Sequence, residues 1–397
     1  MYKTTITSYF KKFLAFILIF SLFADAYILS IFNVNLKLYG GLFFIIISLF
    51  FFKDILQISY TNNLIVFVSI LLLIVSIPFW DSYYTAYSYI GVAIAFIAYA
   101  LARVQVKKQL LIVFYLCIPI ALYEYFSGSY LFDSVFANAT TGEEFVINEN
   151  VAGGLSGVFR SKAIFYGSTS FGLFLISMMV LFPKRFLIIN LAILCAFLAN
   201  SRLALVIGVL FLSFNILQFK SGKILKVSFL LAITLILAHF IFSYLLENYY
   251  MISINRILEL KSNELAGESA RKRFWNQAIE MFSGYSWDEL IFGDNGAYVK
   301  KYSNGTESGW LSLLVDNGLL GFLFYSLIFI KILAASIKKK MVHIAFAIII
   351  ISIVMGVVTY HLSAISNFLL WFTLFIFLEE TTFSKKAASL PTNLRLN

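Results

Sequence analysis

Apolar runs of membrane-spanning length occupy most of this chain. About 20 apolar residues in a helix cross the roughly 30 Å of hydrocarbon in a bilayer, and only helices or closed barrels satisfy their backbone polar groups there. We predict spans at about 13–32, 39–52, 64–80, 88–102, 109–126, 163–182, 186–200, 202–219, 227–246, 309–330, 341–360 and 365–380. Hydrophobic residues make up 61% of the chain and charged residues 13%, which leaves too little polar surface for a soluble globular protein. The sequence predicts an all-α, polytopic membrane protein of about twelve transmembrane helices.

The distribution of basic residues predicts the orientation of these spans. With the N-terminus inside, 19 of the 30 Lys and Arg residues fall in the inner segments, as the positive-inside rule requires. An even number of spans places the C-terminus inside as well. We therefore predict a multi-pass protein of the bacterial inner (cytoplasmic) membrane with both termini cytoplasmic. Much of the net charge of +10 then encodes topology, and we expect no nucleic-acid partner.

The same pattern divides the chain into six segments. They are the N-terminal transmembrane helices 1–5 (1–126), a first outer loop (127–162), transmembrane helices 6–9 (163–246), a large periplasmic loop (247–308), transmembrane helices 10–12 (309–380) and a cytoplasmic tail (381–397).

The remaining basic residues lie on the outer side, against the orientation signal. Arg160 and Lys162 precede the sixth span, and Arg202 lies in a hairpin between two apolar runs. Most of the others fall in the large loop. A guanidinium at the boundary of a membrane indicates a functional role by default. The alternative is that the side chain snorkels to the interface.

The large loop has helical periodicity of its own. Ser269 is a candidate N-cap for a helix that begins at Arg271 and carries Arg273 and Trp275. Gly284 is its expected end. Gly293 and Gly296 then predict a tight turn before the chain re-enters the membrane.

The chain carries no P-loop, dinucleotide fingerprint, nucleophile elbow or Cys/His metal spacing. We therefore predict no metal and no cofactor. Several outer-face cations near helix ends form a candidate clamp for a phosphate-rich anion. Lipid-linked pyrophosphate is the obvious anion at the outer side of a membrane.

Four segments resemble the Wzy-type O-antigen and capsular polysaccharide polymerases, whose superfamily also contains the O-antigen ligases. The segments, in chain order, are Arg160-Ser161-Lys162 leading to Phe171-Gly172, Asn200-Ser201-Arg202, Arg271 to Trp275 followed by Gly293 and Gly296, and Glu307-Ser308-Gly309-Trp310-Leu311 followed by Gly318 to Gly321. Ligases typically carry a His-Asn pair where this chain has Glu307-Ser308, which favours a polymerase.

The resemblance implies an all-helical, metal-independent glycosyltransferase of the C type with one large periplasmic loop. Its substrate is an oligosaccharide on polyprenyl (undecaprenyl) pyrophosphate, and the growing glycan is transferred to the non-reducing end of an incoming repeat of O-antigen, capsule or exopolysaccharide. A chain-length regulator and a flippase are the implied partners. The candidate residues are Arg202, Arg271 and Glu307 for catalysis, and Arg160, Lys162, Arg273 and Trp275 for substrate binding.

Two alternatives stay open. An O-antigen ligase would transfer the glycan to the lipid A core of lipopolysaccharide by the same chemistry. A lipid-linked oligosaccharide flippase or another transporter would place charges at mid-membrane, and Asp25 is the main residue that such a protein would use.

Overall fold

The structure is a computed structural model, and most of the predicted spans fall within the residues that it describes. Described are residues 9–10, 13–14, 16, 60–79, 87–102, 104–131, 134–137, 144–147, 160–165, 167–218, 266–302, 305–357 and 364–383. The predicted spans 39–52 and 227–246, nearly all of span 13–32 with Asp25, residues 247–265 and the tail after 383 lie outside these residues.

The described chain is mainly helical, and two short strands pair as a small sheet. The helices are α1 (Tyr60–Ser76, followed by a 3₁₀ turn, Ile77–Phe79), α2 (Tyr87–Ala102), α3 (Val104–Ser127), α4 (Ser168–Leu181), α5 (Phe186–Leu198), α6 (Arg202–Gln218), α7 (Ala266–Ser283), α8 (Trp287–Phe292), α9 (Ala297–Tyr302), α10 (Gly309–Lys338), α11 (Val342–Val357) and α12 (Ala364–Phe383), and the strands are β1 (Ser134–Ala137) and β2 (Glu144–Ile147). Each predicted span from 64–80 onward that lies in the described residues coincides with a helix. Helix α4 begins later than its predicted start at residue 163, because the preceding segment folds as an irregular loop.

Among the described residues, three helices are long and apolar enough to cross a membrane. These are Asn62–Phe79, Lys107–Ser127 and Gly309–Lys338. Shorter apolar helices are Tyr89–Leu101, Ser168–Leu181, Phe186–Leu198, Arg202–Ile216 and Val342–Val357. These lengths and compositions are those of a membrane protein, while the total of about twelve spans stays a prediction.

The chain divides into two compact units. The first comprises Met1–Ile112, Ala137–Glu143 and Glu268–Asn397, and the second comprises Val113–Phe136 and Glu144–Gly267.

In the second unit, α4, α5 and α6 pack side by side. Every residue of α4 from Phe171 to Leu181 is buried, as expected for a helix that is hydrophobic all round. The turn from α4 to α5 exposes Lys184 and Arg185, and Asn215 of α6 donates its Nδ2 to the carbonyl of Pro183 at 2.6 Å in this turn. The α5–α6 turn therefore lies at the opposite end of the three helices.

In the first unit, α2 and α10 both pack against α12. The fully buried indole of Trp371 donates its Nε1–H to the hydroxyl of Tyr325 at 3.1 Å. At one end of this bundle Lys107 Nζ lies 3.5 Å from Glu380 Oε1, and Lys339 Nζ donates to the carbonyl of Thr382 at 3.1 Å. The start of α3, the end of α10 and the end of α12 thus share one end, as the distribution of cations predicts.

The large loop contributes α7, α8 and α9 to the first unit. The predicted cap at Ser269 is wrong, because α7 begins at Ala266 and Ser269 lies in its first turn. Alanine and an early glutamate, Glu268, favour a longer helix at this point. Arg271 is therefore in the second turn and not at the helix N-terminus, whereas the predicted end at Gly284 is confirmed.

A cluster of buried side chains joins the loop helices to α10. Ala278 of α7, Tyr298 of α9 and Val315 of α10 form its centre. Tyr298 also donates its hydroxyl to the carbonyl of Phe274 at 3.0 Å. Burial raises the pKa of Tyr298 to about 12, with Tyr302 adding to the rise and Arg273 opposing it. The large loop is thus a packed part of the first unit from α7 onward.

Candidate functional site

The turn between α5 and α6 is closed by its own backbone. Ser201 N–H donates to the carbonyl of Ala196 and Asn200 N–H to that of Phe197, both at 2.9 Å, which is the pattern of a Schellman motif. Asn200 takes the left-handed conformation with φ 49°, which asparagine tolerates better than most residues. The next helix starts at once, and its first residue is Arg202.

The segment from Arg160 to Ala163 lies against this turn. Ser161 N–H donates to the carbonyl of Leu198 at 3.2 Å, and Arg160 Nη2 donates to the carbonyl of Asn200 at 3.4 Å. On α4, a Cβ at Gly172 would overlap the hydroxyl of Ser201. The two motif segments that the sequence singled out are therefore in contact, and Gly172 is needed for the close approach.

Three of the predicted cationic residues lie on the two segments that contact each other at this corner of the second unit. Arg160 reaches the turn directly and Arg202 begins α6, whose first turn contains no acidic residue. Lys162 is buried, with 1% of its surface exposed. Its Nζ lies 4.6 Å from the centre of the Tyr130 ring, which is cation–π distance.

Tyr130 supports the same segment through its hydroxyl, which donates to the carbonyl of Arg160 at 3.2 Å. Burial, and to a smaller extent the nearby carboxylate of Glu124, raise the pKa of Tyr130 to about 12 against the opposing effect of Arg160. The phenol is therefore protonated at every physiological pH and keeps its donor role.

Glu124 of α3 was missed by sequence reasoning. It is fully buried, and its Oε2 accepts hydrogen bonds from Ser161 Oγ at 2.8 Å, Lys162 N at 3.0 Å and Ala163 N at 2.9 Å. The signal in the sequence was an acidic residue inside an apolar run. Such a residue is costly in lipid and usually has a structural or functional role.

The other predicted residues lie in the first unit. Arg271, Arg273 and Trp275 are on α7. Arg273 is exposed, and the guanidinium lies 5.3 Å from the centre of the Phe274 ring. Trp275 is half-buried, and its Nε1–H is enclosed without a hydrogen-bond partner among the described residues. Because a buried indole N–H usually has a hydrogen-bond partner, this one is a candidate donor to a bound sugar hydroxyl or phosphate oxygen.

Glu307 stands at the start of α10. It is exposed and has a φ of 56°, a conformation that costs a residue with a side chain on the order of 1–3 kcal/mol. The next residue, Ser308, caps the helix by accepting from Leu311 N–H at 3.4 Å. Trp310 anchors it by donating its Nε1–H to the carbonyl of Ser352 at 3.0 Å. This strained backbone fixes the direction in which the Glu307 side chain leaves the start of α10.

A second buried carboxylate, Asp316, was also missed. Its Oδ1 accepts from Gly296 N–H at 3.2 Å and its Oδ2 from Ser312 Oγ at 2.7 Å. It ties the turn after α8 to α10, so that Gly293 and Gly296, both with positive φ, form the predicted tight turn.

The structure thus gathers Arg160, Lys162 and Arg202 in the second unit and places Arg271, Arg273, Trp275 and Glu307 in the first. No group of three or more His, Cys, Asp or Glu side chains suited to a metal ion occurs among the described residues.

Residues 186–326 match a family model described as O-Antigen ligase. No curated protein matches the chain. The matched segment runs from α5 into α10 and contains the candidate residues from Arg202 to Glu307, whereas Arg160 and Lys162 precede it. The match supports a relationship to the superfamily of O-antigen ligases and polymerases, whose members are membrane glycosyltransferase-like enzymes acting on lipid-linked oligosaccharides. It does not distinguish a polymerase from a ligase.

Proposed function

We propose that this protein polymerises lipid-linked oligosaccharide repeat units at the periplasmic face of the inner membrane. The growing glycan is transferred from polyprenyl pyrophosphate to the non-reducing end of an incoming repeat. The observation that carries the proposal is the corner where Arg160, Lys162 and the first turn of α6 come together. Three cationic residues on segments that contact each other could bind the negative charge of a substrate that carries a pyrophosphate.

In the proposed reaction, a hydroxyl oxygen of the acceptor attacks the anomeric carbon of the donor glycan. The bond from that carbon to the pyrophosphate oxygen breaks, polyprenyl pyrophosphate leaves, and the hydroxyl proton passes to a base. Negative charge grows on the leaving group in the transition state, so cations fixed around it lower the barrier more than they tighten ground-state binding. Arginine suits this role because its planar fork binds two phosphate oxygens and stays charged. The guanidinium groups supply the positive charge for which other enzymes use a metal ion.

We assign Arg202 to the stabilisation of this negative charge, with Arg160 and Lys162 in support. We propose Arg271, supported by Arg273 of α7, for the binding of substrate phosphate. Glu307 is the proposed base or orienting carboxylate for the acceptor hydroxyl, because it is exposed and held in a strained backbone. Trp275 is proposed to bind substrate through its enclosed N–H. A flippase that delivers repeats and a regulator of chain length are the proposed partners.

The ligase is a second candidate, because the matching family model is described as O-Antigen ligase. Both reactions use the same donor and leaving group and differ in the acceptor. The sequence Glu307-Ser308 at the start of α10, where ligases typically carry a His-Asn pair, favours the polymerase.

A gel ladder of surface glycans from a deletion strain, with and without the restored gene, tests the proposal. Loss of a polymerase leaves single repeat units on the surface, which is the result we expect. Loss of a ligase leaves none, and loss of a flippase leaves lipid-linked units on the inner leaflet. Either of the last two patterns contradicts the polymerase assignment.

A further inference from the structure

Glu124 lies near the end of α3 and is fully enclosed by protein, with none of its surface exposed. Its helix is one of the candidate membrane spans. A carboxylate buried in such a helix is retained only when donors surround it. Glu124 has four of them, all from segments that follow α3 in the chain.

Three donors converge on Oε2. They are the hydroxyl of Ser161 and the successive backbone N–H groups of Lys162 and Ala163, at 2.8, 3.0 and 2.9 Å. The fourth, Leu131 N–H, reaches Oε1 at 3.4 Å. Successive backbone N–H groups aimed at one point form an anion-binding concavity, and here an internal anion fills it.

The backbone that Glu124 holds is not a relaxed one. Ala163 has a φ of 49°, a left-handed conformation that a residue with a side chain adopts only when its surroundings impose it. Hydrogen bonds to a charged acceptor are stronger than those between neutral groups. The three hydrogen bonds to the carboxylate hold the loop in this conformation.

The held segment carries the cations of the candidate site. Arg160 and Lys162 flank Ser161, one of the three donors, and Tyr130 secures the carbonyl of Arg160 and the ammonium of Lys162. With its oxygens occupied by donors and none of its surface exposed, Glu124 cannot reach a substrate as a base. Glu124 can affect substrate binding only indirectly, through the loop that it holds.

We propose that Glu124 is a positioning residue that sets Arg160 to bind the pyrophosphate of the donor and fixes the buried ammonium of Lys162 as a nearby positive charge, an inference that rests on the proposed function. Without the carboxylate, the loop loses its left-handed turn and the two cations lose their fixed positions. Donor binding and the transfer step then weaken together, while use of the acceptor is unaffected.

The test compares wild type with Glu124→Ala, Glu124→Gln and the matched control Glu380→Gln, each as the purified full chain in lipid nanodiscs. Glu380 makes an ion pair with Lys107 at another helix end and takes no part in the site. Transfer is followed with a synthetic polyprenyl-pyrophosphate oligosaccharide, with donor and acceptor varied separately. Hydrogen exchange of the peptide containing residues 160–165 reports the loop independently of activity.

For Glu124→Ala we expect faster exchange at residues 161–163, a roughly 10-fold rise in KM for the donor, a roughly 10-fold fall in kcat and an unchanged KM for the acceptor. Glu124→Gln keeps one acceptor oxygen and should give smaller changes in the same direction. It also serves as the readout if the alanine variant fails to accumulate. Glu380→Gln should match wild type.

Coupling to Arg160 separates positioning from general destabilisation. Because Glu124 acts through Arg160, adding Arg160→Lys to Glu124→Gln should cost less than the product of the two single effects. Independent, multiplicative effects, or unchanged exchange and kinetics in both Glu124 variants, overturn the inference while the proposed function stands. If wild type transfers no glycan, the proposed function fails, and the exchange data alone decide whether Glu124 holds the loop.

Discussion

Arg202 occupies a position where its own helix disfavours a cation. The N-terminus of a helix carries about half a positive charge, so a basic residue in the first turn costs roughly 0.3–1 kcal/mol. The first turn of α6 has no acidic residue to offset this. A phosphate bound by the guanidinium and the first N–H groups of α6 turns the same arrangement into a favourable one. The placement therefore favours an anion site over simple snorkelling.

Arg202→Lys tests this directly. Lysine keeps the charge and snorkels equally well, but loses the two-point grip on phosphate oxygens. We expect kcat to fall by about 10²–10³, the usual cost of removing one transition-state contact, and the glycan ladder to shorten to one or a few repeats. Arg271→Lys should behave alike. The control is Arg185→Lys at the exposed start of α5, which should give a normal ladder, and a normal ladder from Arg202→Lys would exclude the pyrophosphate clamp.

Glu307→Gln removes basicity and keeps the shape of the side chain. A general base contributes about 10²–10⁴ in rate, so we expect at least a 10²-fold fall in kcat with normal amounts of protein in the membrane. Glu280→Gln, at an exposed position of α7, is the matched control. Equal activity of the two variants would remove Glu307 from the mechanism.

Trp275→Phe removes the enclosed indole N–H and keeps most of the aromatic packing. A single hydrogen bond contributes about 0.5–1.5 kcal/mol, so KM for the substrate that it binds should rise about 2- to 12-fold with little change in melting temperature. Trp287→Phe on α8, where the side chain is 81% exposed, should change neither. A lower melting temperature with an unchanged KM would make Trp275 a packing residue.

At the scale of elements, the helices of this chain are predictable and their loop contacts are not. Asn200-Ser201-Arg202 was recognisable as a hairpin because apolar runs on both sides leave only a short polar stretch for the turn. The role of Glu124 was not, because its donors lie at residues 131 and 161–163, and apolar periodicity does not reveal which loop folds back on which helix. The start of α7 was misplaced for a related reason: Ser269 is a good cap in isolation, but nothing in the local sequence stops the helix from starting at Ala266.

The packing of the large loop depends on a break in α10. Gly318 has φ 62° and ψ −166° inside the helix, a conformation that is almost exclusive to glycine. A Cβ there would overlap the carbonyl of Ile291 and the N–H of Gly293, and one at Gly293 would overlap the backbone of Asp316. Two backbone segments are therefore in direct contact at this crossing, and neither can move aside to accommodate a side chain.

Gly318→Ala should consequently destabilise the protein. We expect several kcal/mol of lost stability from strain and overlap together, seen as a lower melting temperature in detergent and less protein in the membrane. Gly356→Ala is the matched control, because Gly356 lies in an apolar helix with open space around its Cβ position. Equal amounts and melting temperatures of the two variants would show that the crossing is not rigid.

At the scale of the whole molecule, the positive-inside rule predicts the orientation of the chain in the membrane, and the helix ends of the first unit allow a specific test of it. Lys107, Lys339 and Glu380 share one end of that bundle, which the rule places in the cytoplasm. The large loop with α8 is predicted to be periplasmic. Single cysteines at the exposed positions Trp287 and Lys338 report the two sides. Labelling is specific because the two native cysteines, Cys117 and Cys195, are buried.

A membrane-impermeant maleimide should therefore label Trp287→Cys in intact spheroplasts and label Lys338→Cys only after the membrane is opened. The matched control is the unsubstituted chain, which should stay unlabelled in both conditions because burial shields both native thiols from the reagent. The reverse pattern would invert the chain in the membrane. Glu307 and the large-loop cations would then face the cytoplasm, and a reaction on periplasmic lipid-linked repeats would be excluded. Labelling of both positions from one side would instead show that α10 does not cross the bilayer, whatever its length and composition.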